Sequence, residues 1–156
     1  GHLCGSRRVR ILLDTNVLLR SAQPKHQQFQ LARDSVRNLI QQNHEVFIVP
    51  QNLYEFWVVA TRPVDRNGLS LSVQQTLAEV NAIRAMFTLL LDERGIYSEW
   101  EPLVTSHAIT GKRAHDARLV AAALRHRLDA ILTFNNSDFS SIAVIAVLDP
   151  SLVAKS

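Results

Sequence analysis

The sequence predicts an α/β fold, a three-layer α/β/α sandwich around a mainly parallel five-stranded sheet. Three observations predict it. Short, largely apolar runs recur at residues 11–13, 45–49, 87–91, 130–133 and 142–147, the pattern of strands covered on both faces. Segments with helical 3-and-4 spacing lie between most of them. Strand, helix and strand in that rhythm form βαβ units, whose strands run parallel with helices on both faces of the sheet.

The first strand, Ile11-Leu12-Leu13, is followed directly by Asp14-Thr15-Asn16. These are turn and N-cap residue types, so the strand ends at Asp14 and a helical turn begins. Residues 27–42 carry Phe29, Ala32, Val36, Leu39 and Ile40 as one apolar stripe, which predicts an amphipathic helix. Residues 45–49 are the second strand, stopped by Pro50. The next helix starts near Gln51. Leu53, Tyr54, Phe56, Trp57, Val58, Val59 and Ala60 make it apolar nearly all round, with Glu55 its one charge. Such a helix is deeply buried or part of an interface, and a carboxylate inside it needs a cation, a hydrogen-bond network or a raised pKa.

Arg62-Pro63 closes that helix, and Asn67-Gly68 makes a turn. Ser72 and Gln75 form a capping box for a helix whose stripe is Val73, Leu77, Val80, Ile83 and Met86. Residues 87–91 are the third strand, closed by Asp92-Glu93-Arg94-Gly95. Ser98 and Glu101 read as a second capping box, opening a helix with Trp100, Leu103, Val104 and Ala108 and ending at Gly111. The alanine-rich residues 117–127 have high helix propensity, with Asp116 at their first turn. Residues 130–133 are strand four, 134–139 a polar loop at its carboxyl end, and 142–147 strand five. A short tail follows Asp149-Pro150.

Length and composition agree with one domain. Residues 1–6 read as a cloning remnant, which leaves 7–156 as the domain. The 156 residues are 47% apolar and 20% charged, the balance of an ordinary soluble protein. No apolar run approaches the ~18 residues of a membrane span, so no membrane partner is expected. The one cysteine, Cys4, can form neither an internal disulfide nor a thiolate metal site. A reducing cytoplasm fits. A net charge of +3 is modestly basic, and it points to a polyanion only where the positive charge is local to a site.

Four acids fall where such a sheet binds ligands, at the carboxyl edge of its strands. Asp14 follows strand one, Glu55 lies in the helix after strand two, Asp138 follows strand four, and Asp116 opens a helix starting at the same edge. Each has a structural explanation: Asp14 as a helix cap, Asp116 as a partner of a helix dipole, Asp138 as a turn residue. Glu55 is the hardest to explain that way. Four gathered carboxylates repel one another, and a hard divalent cation, Mg²⁺ or Mn²⁺, relieves the repulsion through oxygen ligands. The chemistry such ligands suit is phosphodiester hydrolysis, with a metal-activated water as nucleophile. Thr15, Asn16, Thr133 and Asn135 flank the acids and either orient carboxylates, water or phosphate, or cap helices and turns. Arg62, Lys112, Arg113 and Arg118 supply a basic rim for a polyanion. A haloacid-dehalogenase phosphatase would need a second Asp where Asn16 stands. A receiver domain would need paired acids by strand one and a late-strand Lys, both missing.

The ordered set Ile11-Leu-Leu-Asp-Thr-Asn-Val-Leu-Leu19, Asn52-Leu-Tyr-Glu55 with Thr61-Arg-Pro63 and Asn67-Gly-Leu69, His115-Asp-Ala-Arg-Leu-Val-Ala121 and Leu132-Thr-Phe-Asn-Asn-Ser-Asp-Phe139 resembles a PIN domain, in particular the VapC toxins of bacterial toxin–antitoxin pairs. The resemblance implies a metal-dependent ribonuclease, usually a homodimer, inhibited by a cognate antitoxin. It carries Asp14, Glu55, Asp116 and Asp138 over as catalytic metal ligands. Tyr54, Phe56 and Trp57 become candidates for a dimer or antitoxin contact, or for the core. The competing reading is a non-catalytic RNA- or partner-binding PIN module.

Overall fold

A computed structural model describes residues 7–142 and 144–155, so the expectation for residues 1–6 lies outside the described residues. Its elements are β1 (Arg10–Leu13), α1 (Thr15–Ser21), α2 (Phe29–Gln41), β2 (Glu45–Ile48), α3 (Pro50–Thr61), a 3₁₀ turn at Val64–Arg66, α4 (Val73–Met86), β3 (Thr88–Leu89), α5 (Gly95–Ser106), α6 (Arg113–Arg125), β4 (Ala130–Leu132), α7 (Asn136–Ser140), β5 (Ala146–Leu148) and α8 (Pro150–Val153). The sheet order is β3-β2-β1-β4-β5 and every pairing is parallel.

β1 is the central strand. Leu12 sits opposite Phe47 of β2 on one side and Ile131 of β4 on the other. The chain builds outward from β1 to β2 and β3, then returns to place β4 and β5 on the opposite side. That reversal makes the carboxyl ends of β1 and β4 the switch point of the sheet, the position where open α/β sheets take ligands.

Alternation along β1 divides the core. Ile11 and Leu13 pack with Val17, Val36, Leu39, Phe56 and Ala60 on the face covered by α1, α2 and α3. Leu12 packs with Phe47, Leu103, Val120 and Phe139 on the face covered by α5, α6 and α7. All three apolar residues of β1 are fully buried, as a strand between two helical layers requires. No helix among the described residues is long and apolar enough to cross a membrane.

Several predicted boundaries shift, each for a packing reason. The Ser72–Gln75 capping box forms in both directions, but the one expected at Ser98 and Glu101 does not. α5 begins four residues earlier, at Gly95 after Arg94, with no side-chain cap. The earlier start brings Ile96, Trp100 and Leu103 onto one stripe against the core. The polar loop after β4 is instead the single turn α7, which buries Phe139 completely. β5 covers Ala146–Leu148 rather than residues 142–147, while Ile142 is buried ahead of it. β3 has only two residues, and the tail carries α8. α6 starts at Arg113, four residues before the alanine-rich run, so Asp116 falls in its first turn as expected. Of the two alternatives for α3, deep burial or an interface, the helix is not buried all round. Phe56 is buried, but Tyr54 and Val58 are 65% and 57% exposed, and Trp57 is half-buried.

Candidate active site

β1 delivers Asp14 to the switch point. The Asp14 amide continues the ladder by donating to the Leu132 carbonyl at 2.9 Å, and the residue is extended, at the N-cap of α1. One carboxylate oxygen accepts from the Thr15 amide at 2.7 Å and the other from the Thr133 hydroxyl at 2.8 Å. Asp14 is buried, and both of these donors are neutral. Burial is the main force pushing its pKa up to about 7. The Asp116 and Glu55 charges add to the rise, while the Thr133 and Thr15 hydrogen bonds oppose it. With one hydrogen bond to each oxygen, the carboxylate keeps further acceptor capacity.

Glu55 lies one turn into α3, at the same edge. Its Oε1 accepts from the Thr15 hydroxyl at 2.7 Å, and its Oε2 accepts from Gln51 Nε2 at 3.0 Å. Of the three remedies predicted for this acid, the hydrogen-bond network is present. Thr15 is itself aimed by Asn52, whose Nδ2 donates to the Thr15 hydroxyl oxygen at 3.1 Å and to the Leu13 carbonyl at 2.9 Å. Asn52 Oδ1 accepts from the Val49 amide at 2.8 Å. A hydroxyl that accepts from Asn52 has its own proton free for Glu55, so the direction of this relay is set.

Asp116 arrives in the first turn of α6. Its pKa is raised to about 6, first by partial burial, then by Asp138 and Glu55, against the lowering influence of Arg113 and His115. Asp138 stands exposed in α7. Electrostatics therefore joins all four predicted acids, Asp14 to Glu55 and Asp116, and Asp116 to Asp138. They form a loose ring rather than a closed cage. Among the described residues, no three Asp, Glu, His or Cys side chains are grouped to hold an ion as they stand. The donor chemistry nevertheless fits a hard cation: oxygen ligands only, with a buried carboxylate that no cationic side chain among the described residues pairs with.

Three of the four flanking polar residues are engaged. Thr133 donates to Asp14 while accepting from the Asn135 amide at 2.9 Å, and Asn16 reaches Thr133 and the Phe134 amide at 3.4 Å each. Asn135 takes part through its backbone, with its residue exposed. The basic residues separate into different roles. Arg118 donates to Gln51 Oε1 at 2.8 Å and pairs with Asp92 at 3.3 Å. Arg113 donates to the Asp138 carbonyl at 3.4 Å and to Ser141. Lys112 is exposed just before α6. Arg62 is not brought to the site. It caps the far end of α3, about 10 Å along the helix from Glu55, and donates to the Asn67 carbonyl at 3.1 Å.

Two site residues carried no predicted role, Gln51 and Asn52. Gln51 accepts from Arg118 and donates to both Glu55 and the His115 carbonyl, at 3.0 and 2.9 Å, tying α3 to α6. The available signal was two amides opening an otherwise apolar helix directly after Pro50.

The sequence matches the PIN domain family over residues 10–137. None of the curated proteins matches it. Among solved structures, a chain of VapBC2 from Rickettsia felis bound to a promoter DNA fragment has a TM-score of 0.68 at 14% identity, covering 89% of this chain and 97% of that one. A chain of DNA-bound VapBC from Salmonella typhimurium has a TM-score of 0.69 at 18% identity, with coverages of 91% and 98%. A chain of FitAcB from Neisseria gonorrhoeae has 0.65 at 19%, with coverages of 90% and 97%. At these identities the likeness is one of fold.

Proposed function

Because this chain belongs to the PIN domain family, we propose that it is a Mg²⁺- or Mn²⁺-dependent endoribonuclease and the toxin of a toxin–antitoxin pair. The observation that carries the reading is Asp14, a buried carboxylate at the sheet's switch point, hydrogen-bonded by neutral donors and pushed up to about 7 with other acids around it. Asp14, Glu55, Asp116 and Asp138 would hold the cation, which when bound supplies an activated water and charge neutralisation at the phosphate.

The chain's own residues do the positioning. Thr133 and the Thr15 amide keep the Asp14 carboxylate in one orientation. The Asn52–Thr15 relay and Gln51 fasten both oxygens of Glu55. Asp116, at about 6, is mainly ionised near neutral pH and ready to serve as an anionic ligand. Lys112 and Arg113 stand at the opening of α6, where they meet the substrate's phosphates.

The matched VapBC and FitAcB structures suggest an antitoxin as partner. An apolar groove of about 450 Å³ between α1, α2 and α4, lined by Val17, Leu18, Val36, Ile83 and Met86 among others, suits an apolar antitoxin segment. Purified chain, freed of any antitoxin, is expected to cut single-stranded RNA when Mg²⁺ or Mn²⁺ is added. Asp14→Asn and Asp116→Asn are expected to cut at least about a hundredfold more slowly, given the usual weight of charged groups at such centres. Variants that cut as fast as the parent would refute the assignment. The open arrangement of the acids favours one rival, a non-catalytic RNA- or partner-binding module. That rival predicts RNA or protein binding with no cleavage under either metal.

A further inference from the structure

A second feature lies beside the acid ring. α5 and α6 pack side by side, with Trp100 Nε1 donating to the Ala114 carbonyl at 2.8 Å. Where the chain passes from β3 into α5, a cavity of about 300 Å³ opens, lined by Glu93, Arg94, Ile96, Tyr97, Trp100 and Arg118. Tyr97 and Trp100 stand together in its wall, their ring centroids 5.8 Å apart and tilted by 38°. Tyr97 is 61% exposed, so its ring offers a face to an incoming group.

The charges around this cavity are largely spent within the protein. Glu93 is held by Arg125, Asp92 by Arg118, and Glu101 accepts the Tyr97 hydroxyl proton. Arg94 is exposed and has no ion pair among the described residues. The cavity thus presents aromatic surface and one unspent cation. It is also joined to the acids by two hydrogen bonds. Arg118 Nη1 donates to Gln51 Oε1 at 2.8 Å, and Gln51 Nε2 donates to Glu55 Oε2 at 3.0 Å.

We propose that this cavity is a nucleobase subsite for single-stranded RNA held at the acid ring, with the base against Tyr97 and Trp100 and an adjoining phosphate on Arg94. The proposal rests on the ribonuclease reading for its substrate. Every base has a π-face, so stacking on aromatic side chains favours single strands with little regard to sequence, and a cation beside the ring adds the backbone contact. A base locked in a duplex cannot enter, so the subsite selects unpaired RNA.

Binding can be read apart from cleavage. With EDTA present, a labelled single-stranded RNA 12-mer is titrated into the parent, Tyr97→Phe, Tyr97→Ala and Arg94→Gln, and followed by anisotropy. Tyr97→Ala is expected to weaken binding roughly 5- to 30-fold, within the range measured for lost base stacking. Tyr97→Phe should stay within about twofold of the parent because it keeps the ring. Arg94→Gln should weaken binding and flatten its salt dependence. Replacing single nucleotides by abasic ones should reveal one position that matters most. Equal affinity for Tyr97→Ala and parent, no position sensitive to base removal, or no RNA binding at all would overturn the subsite. RNA bound through Tyr97 but never cut with added metal would instead sink the ribonuclease reading and leave the subsite standing.

Discussion

Asp14 concentrates the site's energetics in one side chain. Its folded pKa of about 7 lies above the ordinary 3.8, so the folded chain binds a proton that the unfolded chain releases. The sign follows: the metal-free fold is favoured below pH 4, and this contribution is lost as pH rises through 7. The shift bounds the loss at about 4 kcal/mol. Asp14→Asn removes the titration, so without metal its melting temperature should gain on the parent's steadily from pH 4 to pH 8. Equal pH dependence in the two proteins would contradict this. Added Mg²⁺ or Mn²⁺ should stabilise the parent at pH 8 and leave Asp14→Asn nearly unmoved. Asn52 is the complementary case, a fully buried amide whose three partners are all internal. Asn52→Leu strands the Val49 amide and the Leu13 carbonyl, a cost on the order of 2–3 kcal/mol. It also frees the Thr15 hydroxyl to turn from Glu55. Urea unfolding and RNA cleavage together should show both losses.

At the level of elements, the site depends on short pieces that cannot stand alone. α7 has five residues, far below the length at which a helix is stable by itself. Phe139, fully buried against the α6 face of the core, is what holds it. Phe139→Ala should cost about 3–5 kcal/mol. A measured loss under about 1 kcal/mol would mean that α7 is secured otherwise. α3 works the opposite way, as a long rigid lever: Pro50 starts it at the carboxyl edge, and Gln51, Asn52 and Glu55 all project from its first turns. Its N-terminal polar residues were legible as residue types. Their roles were not, because the hydrogen bonds that tie them to Leu13, Thr15, His115 and Arg118 reach residues 37 to 67 positions away.

For the whole molecule, several exposed apolar residues fall on two neighbouring helices, while others such as Ile40, Leu91 and Leu152 are scattered. Tyr54 and Val58 lie one turn apart on α3, and Val73, Leu77 and Met86 are exposed on α4. α3 and α4 touch each other, and exposed apolar side chains are of the kind that marks protein contacts when they are contiguous. Of Tyr54, Phe56 and Trp57, the candidates for a dimer or antitoxin contact, Phe56 belongs to the core, Trp57 is half-buried and Tyr54 is exposed; we propose that Tyr54, with Val58 beside it, lies on a homodimer contact. The parent should run as a dimer by light scattering, and Tyr54→Glu with Val58→Lys should run as a monomer of unchanged melting temperature. A parent that is monomeric at all concentrations would remove the idea.

The sequence alone determined the architecture, because the strands are short apolar runs and the longer helices carry their own periodicity, both local properties. It also placed Asp14, Glu55, Asp116 and Asp138 at one edge, since parallel strands send all their carboxyl ends the same way. The tertiary structure decided what local pattern could not. It turned the loop at 134–139 into a helical turn, because Phe139 had a core to enter. It moved the start of α5 to bury Ile96, and it left Arg62 at the wrong end of α3 to reach the acids. It also made Thr15, Thr133, Gln51 and Asn52 into the frame that orients them. Hydrogen bonds across 37 to 119 positions exist only once the sheet has brought its strands together, so only the folded chain could reveal them.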